Sequence, residues 1–209
     1  MINIIIVDDH AVVRKGLMQI LEDHSDFYSV DEASSGEELL EKVKTRTYDI
    51  IVLDISMQGR DGIDTLKQLR RQNSNSKVLA FSMYPEDQYA MRLLKAGAMG
   101  YLNKECHPDE FLKAIERLAK GNKYVSNELA EMLLKNVGVD DSPLHDALSD
   151  REFQVMCMMA KGKSPTQISN DLNLSINTVS TYRIRILEKL NLKNSAEITH
   201  YAIKSRLVE

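Results

Sequence analysis

Residues Ile50-Ile51-Val52-Leu53 form a short apolar run, rich in β-branched side chains and without polar alternation. Such a run fits a strand covered on both faces, as strands inside a parallel sheet are. It lies in the stretch Tyr48 to Gly62 and ends on Asp54, after which a loop carries Gly59 and Gly62. Open α/β sheets hold their ligands beyond the C-terminal ends of their strands, so Asp54 stands where a ligand would bind. Asp is also a common loop residue, so this strand end alone leaves a plain turn role open.

The other strand ends decide between the two. Ile4-Ile5-Ile6-Val7 is a second buried run, closed by Asp8-Asp9-His10, and Val12, Val13, Leu17, Ile20 and Leu21 then share a predicted helix face. Tyr28 to Ala33 reads as a weaker strand, and Ser35-Gly-Glu-Glu38 as a capping box opening a helix through Leu39, Leu40 and Val43. Ile63, Leu66 and Leu69 mark the next helix, and Lys77 to Phe81 a strand ending at Ser82. Pro85 opens a helix with Met91, Leu93 and Leu94. Gly100-Tyr101-Leu102 is a short strand running to Lys104, and Pro108 opens a helix over Phe111 to Lys120, stopped by Gly121. Five strand–helix units in alternation predict an α/β domain over residues 1–121, built on a doubly wound, five-stranded parallel sheet.

In such a sheet the strand ends line one edge, bringing Asp8, Asp9, Asp54, Ser82 and Lys104 together. Clustered carboxylates are costly unless they share a counter-ion or do chemistry. Their hard oxygens, with a backbone carbonyl, suit Mg²⁺. Asp54 then reads as a nucleophile that takes a phosphoryl group as an acyl phosphate, with Lys104 and the metal offsetting charge on the transferring oxygens. The chain has no G-x-x-x-x-G-K-[ST] loop, so the phosphoryl donor comes from outside.

Asp8-Asp9, Asp54, Ser82, Tyr101 and Lys104 resemble, in order and spacing, the receiver domain of bacterial two-component response regulators. The resemblance implies that Asp54 accepts phosphate from a sensor histidine kinase. It implies that Asp9, Asp54 and the Ser56 carbonyl hold Mg²⁺ with help from Asp8, and that Lys104 and Ser82 bind phosphoryl oxygens. Tyr101 would be the aromatic that turns inward when Ser82 moves. Gln58 departs from the Pro usual in the family, and Ser56 and Tyr84 stand where the family tunes dephosphorylation.

Beyond Gly121, Val125 to Asn136 reads as a helix, and Val137 to Ala147 as an acidic, turn-rich linker, so residues 122–147 connect two domains. The second domain, residues 148–209, is predicted as a small all-α helix-turn-helix bundle of four helices. Ser149-x-x-Glu152 and Ser164-Pro165-x-Gln167 open its first two helices, and Ser175 caps a longer one over Ile176 to Leu190 with Val179, Ile186 and Leu190 inside. A last helix covers Ala196 to Ser205. Two helices joined by a tight turn, the second carrying basic residues, suit double-stranded DNA, although a plain bundle with a solvated basic face gives the same periodicity.

Charge points the same way. Residues 147–209 carry nine Lys/Arg against six Asp/Glu, while the net charge of the whole chain is −4. The sequence from Leu148 to Leu207 also resembles the DNA-binding domain of the NarL/FixJ, LuxR-type regulators. By that resemblance Ser180, Thr181 and Ile184 face base edges, Thr178 joins the interface, and Arg183, Arg185, Lys189 and Lys193 meet phosphates. Ser180, Tyr182 and Pro165 depart from the usual Lys, His and Asn, and the run Thr178 to Tyr182 is a variant found in regulators paired with multidomain sensor kinases.

The expectation is a phosphorylation-controlled transcription regulator that dimerises on promoter DNA, with RNA polymerase a candidate partner. No enzymatic turnover and no membrane partner are expected. Cys106 and Cys157 lack metal-site spacing, and no basic leader or long apolar run is present, so a cytoplasmic location is expected. Two rivals remain. A phosphatase of the haloacid dehalogenase type needs a second carboxylate two residues after the nucleophile, where Ser56 stands. A DNA-binding regulator with a vestigial receiver would work without phosphate.

Overall fold

Five parallel strands, β1 (Ile2–Val7), β2 (Tyr28–Ala33), β3 (Ile50–Asp54), β4 (Lys77–Ser82) and β5 (Gly100–Asn103), pair in the order β2-β1-β3-β4-β5 in a computed structural model. The structure describes residues 1–24, 26–57, 62–72, 75–83, 86–126, 129–131, 143–205 and 207–208, without the side chains of 87 and 88. The chain divides into two compact units, Met1–Asn136 and Val137–Glu209.

In the first unit, β3 is buried along its whole length, as its unbroken apolar run requires. Ile4, Ile6, Ile50, Val52, Leu79 and Phe81 face one side of the sheet, in a core with Leu17 and Leu21 of α1 (Ala11–Glu22) and Phe111, Ile115 and Leu118 of α5 (Pro108–Ala119). The alternate residues Ile5, Val7, Ile51 and Leu53 are equally buried and point to the opposite face. On α1 the buried face is carried by Leu17 and Leu21, and Val12 departs from the expectation with 84% exposure. At roughly 100° per residue, Val12 is turned away from the stripe that Val13, Leu17 and Leu21 share.

Helices α2 (Gly36–Thr45), α3 (Gly62–Arg71) and α4 (Glu86–Lys95) complete the alternation. Ser35 caps α2 through the Glu38 N–H at 3.2 Å, but the reciprocal half of the box is missing. Glu38 reaches one residue further back and accepts from the N–H and the hydroxyl of Ser34, both at 2.8 Å. Pro85, Gln58, Gly59, Tyr84, and Met132 to Ser142 lie outside the described residues, which removes most of the expected 125–136 helix and much of the linker from view.

Tyr124 adds a contact that periodicity did not foresee. It forms a parallel bridge with Gly100: its carbonyl accepts from the Tyr101 N–H at 3.2 Å, and its own N–H donates to Met99 at 3.0 Å. The segment following α5 therefore lies along β5.

The second unit holds α6 (Asp150–Ala160), α7 (Pro165–Asp171), α8 (Ile176–Leu190) and α9 (Ser195–Lys204). Both expected capping boxes are complete, at Ser149/Glu152 and Ser164/Gln167, with Pro165 in the first turn. Seven consecutive residues of α6, Glu152 to Met158, are buried, which makes it the central helix that α8 and α9 pack against. Leu144–Ala147 forms a short 3₁₀ turn in this unit, and Tyr201 ties it down, its hydroxyl accepting from the His145 N–H at 3.1 Å.

Candidate functional site

The strand order sets β1 directly beside β3, with Val7 opposite Leu53. The residues after β1 therefore meet the end of β3 where the winding of the sheet reverses. Asp8 and Asp54 are each 1% exposed there. The Lys104 ammonium sits between them, 2.6 Å from Asp8 Oδ2 and 2.8 Å from Asp54 Oδ2. The other oxygen of Asp54 accepts the Ser56 N–H at 2.7 Å. The Lys104 N–H donates to the Ser82 carbonyl at 2.9 Å, which fixes the lysine at the edge of the site.

Burial, with the Asp8 charge adding to it, raises the Asp54 carboxyl above its ordinary range, and the Lys104 ammonium offsets only part of this. Burial also disfavours the charged form of Lys104, but Asp54 and Asp8 overcome it and hold the ammonium above its usual range. The cluster therefore retains negative charge that one lysine does not neutralise.

The donors fit a divalent cation. Asp8, Asp9, His10 and Asp54 each offer one ligand atom, all within 4.8 Å of one another. Asp54 Oδ2 is at ion-pair distance from Lys104 without a well-directed hydrogen bond, so a lone pair stays available on a buried oxygen. Carboxylate oxygens of this kind are the ligands Mg²⁺ takes.

Ser82 is fully buried, with its hydroxyl 3.4 Å from that of Ser56. Tyr101 is 1% exposed and turned inward. The structure thus gathers Asp8, Asp9, Asp54, Ser56, Ser82 and Lys104 at one sheet edge and buries Tyr101 on the neighbouring strand.

On α8, Ser180, Thr181, Ile184 and Arg185 are exposed. Ile184 is 53% exposed, an apolar side chain kept in water beside charged neighbours. Thr178 instead serves the helix start: its N–H donates to the Ser175 hydroxyl at 3.0 Å, and the two hydroxyls lie 2.8 Å apart. Two of the four expected phosphate contacts also have partners within the domain. Arg183 Nε donates to the Ser195 hydroxyl at 2.8 Å, and Lys189 to Glu152 at 2.6 Å. Arg185 and Lys193 are exposed.

Residues 4–116 match the response regulator receiver domain, and residues 146–202 match the LuxR family of bacterial regulatory proteins. The chain belongs to the NarL/FixJ-type response regulators. The response regulator UvrY of Escherichia coli strain K12 is 37% identical over 210 residues, 99% of this chain and 96% of its own. The response regulator GacA of Pseudomonas viridiflava is 37% identical over 212 residues, covering 100% of this chain and 99% of its own. Among solved structures, RcsB from Salmonella enterica serovar Typhimurium, bound to promoter rprA in the presence of the phosphomimetic BeF₃⁻, is 25% identical with a TM-score of 0.64. That match covers 96% of this chain and 98% of RcsB.

This response regulator therefore combines a receiver with a LuxR-type DNA-binding domain, and receivers bind Mg²⁺ at an acidic pocket of this kind. Three contributors escaped sequence reasoning. His10 was legible only as the residue closing Asp8-Asp9, Glu152 only as a cap, and Tyr124 had no local signal. Each acquires its contact from an element distant in sequence or from a local turn that periodicity does not report. Among the described residues, no helix is long and apolar enough to cross a membrane.

Proposed function

We propose that Asp54 is the phosphoryl acceptor and that its modification controls promoter binding by residues 148–209. The observation carrying this reading is the ion-paired cluster in which Lys104 bridges Asp8 and Asp54 at 2.6 and 2.8 Å. An Asp54 oxygen attacks the phosphorus of a phosphohistidine on the sensor kinase. The P–N bond breaks as the P–O bond forms, and the imidazole leaves and takes up a proton. Lys104 accompanies the acceptor carboxylate and offsets charge on the phosphoryl oxygens, to which Ser82 donates its hydroxyl. Asp8, Asp9, Asp54 and the Ser56 carbonyl would hold Mg²⁺, which supplies further charge neutralisation.

Drawing Ser82 toward the phosphoryl group would hold Tyr101 in the buried position it already occupies. Tyr101 lies on β5, whose backbone is hydrogen-bonded to Tyr124 in the segment leaving the receiver. That ladder couples β5 to the first residues after α5, within the receiver unit. Ser180, Thr181 and Ile184 read base edges while Arg185 and Lys193 meet phosphates, in a cytoplasmic homodimer on half-sites about one helical turn apart. The promoter-bound RcsB structures support this assembly by likeness.

The test is intact mass after incubation with acetyl phosphate and Mg²⁺, wild type beside Asp54→Asn, followed by a DNA-shift assay on the same samples. One added phosphoryl group on wild type alone, with tighter DNA binding, is the expected result. No modification with DNA binding unchanged would make this a regulator with a vestigial receiver.

A further inference from the structure

His10 occupies the N-cap position of α1 but does not cap it. The only other histidine at such a position among the described helices, His107, does cap its helix, with Nδ1 accepting from the Asp109 N–H at 3.3 Å. His10 instead turns its Nδ1 back to the acidic pocket, 2.8 Å from Asp9 Oδ1 and 3.2 Å from Asp8 Oδ1. The turn is fixed locally, because the His10 N–H donates to Asp8 Oδ1 at 2.7 Å. The ring is 67% exposed, so an ion approaching from solvent meets it before reaching the buried carboxylates.

We propose that His10 is a fourth ligand in this pocket and shifts its preference from Mg²⁺ toward a borderline divalent cation of the Zn²⁺ class. The proposal rests on the reading of the acidic cluster as a metal pocket. Mg²⁺ takes oxygen ligands, keeps several waters and gains little from an imidazole. Zn²⁺ takes mixed nitrogen and oxygen sets in tetrahedral geometry at about 2.0–2.2 Å, which separates neighbouring ligand atoms by about 3.4 Å. Asp8, Asp9, His10 and Asp54 offer such a set within 4.8 Å, close enough for side-chain rotation to complete it. Charge also balances: three carboxylates face the Lys104 ammonium and the two charges of the ion. A site closed by four protein ligands would occupy Asp54, so Zn²⁺ opposes phosphorylation where Mg²⁺ supports it.

The test is isothermal titration of the full chain with Zn²⁺ and, separately, with Mg²⁺, comparing wild type, His10→Ala and Asp54→Asn. His10→Ala lowers the ratio of Zn²⁺ to Mg²⁺ affinity by about tenfold or more, since even losing an outer-sphere partner costs 10–100-fold. In wild type, ¹⁵N spectra place the main Zn²⁺-dependent shift on the His10 ring, a readout independent of whether the variants fold. An unchanged affinity ratio, or Zn²⁺ shifts confined to other histidines, overturns the proposal and makes Zn²⁺ binding adventitious. A wild-type chain that binds neither ion fails the metal-pocket reading itself, whereas Mg²⁺ binding with no Zn²⁺ preference fails only the role of His10.

Discussion

The Lys189 ammonium donates a 2.6 Å hydrogen bond to Glu152 Oε2, tying α6, the central helix of the DNA-binding domain, to α8. Glu152 is 2% exposed, and the same carboxylate accepts the Ser149 N–H at 2.7 Å. One acidic side chain thus closes the capping box of α6 and anchors α8. Lys189, which the family resemblance assigns to DNA phosphate, is 40% exposed and already has an ion-pair partner within its domain.

Lys189→Met is expected to cost about 1–2 kcal/mol of stability, because it removes a charged partner from a buried carboxylate that keeps its backbone donor. Arg185→Ala should leave stability almost unchanged and reduce the slope of log binding constant against log salt by about 1. Denaturation curves beside salt-dependent DNA titrations check both. A salt slope that falls for Lys189→Met and not for Arg185→Ala would reverse the assignment.

Acid should loosen this domain through Glu152. Burial pushes its carboxyl up, but Lys189 and the N–H and hydroxyl of Ser149 outweigh that and hold it below the ordinary glutamate range. The unfolded chain therefore takes up the proton first. The contribution is complete above about pH 4.3, the ordinary glutamate value, and is lost as pH falls through the lower folded value. Hydrogen exchange over residues 148–208 measured from pH 6 to pH 3 follows this loss, and Glu152→Gln should flatten it.

Gly62 begins α3 against the backbone at the end of β3. A Cβ there would lie 2.5 Å from the Asp54 carbonyl oxygen and 2.6 Å from Ile55 Cα, and neither atom has a flexible end that could yield. Gly62→Ala should cost about 1–3 kcal/mol by overpacking. It should also slow acetyl phosphate modification by moving the end of β3. Thermal melts and intact-mass kinetics test this, and a variant as stable and as readily modified as wild type would refute it.

Tyr48 and Tyr124 should titrate well above the ordinary phenol range. Burial, then the phenol hydrogen bonds to Asp31 and Glu110, push both up to about 12. The protonated phenol is the stabilised form. Its contribution is present below the ordinary pKa of about 10 and disappears as pH rises from there through about 12. Tyrosinate absorbance against pH reads this directly, with Tyr48→Phe removing one late step. A single wave near pH 10 in the folded protein would exclude it.

Local signals carried much of the fold. All five strands fall where unbroken or weakly patterned apolar runs place them, and Ser149, Ser164, Pro165 and Ser175 start their helices as their spacing requires. The reason is that strand burial, helix capping and proline geometry act within a few residues. The strand ends Asp8, Asp54, Ser82 and Lys104 were legible for the same reason, since each simply terminates a readable run.

Tertiary structure decided which of those ends became neighbours. The order β2-β1-β3-β4-β5 sets Asp8 against Asp54 and brings Lys104 between them from 50 residues further along the chain. It also left Val12 in water, laid Tyr124 along β5, turned His10 into the pocket, and gave Lys189 to Glu152 and Arg183 to Ser195. Periodicity reports which face of an element is buried. The partner of a charged or hydroxyl group is set by the packing of distant elements, so composition and spacing named the functional groups, and the assembled fold chose what each one touches.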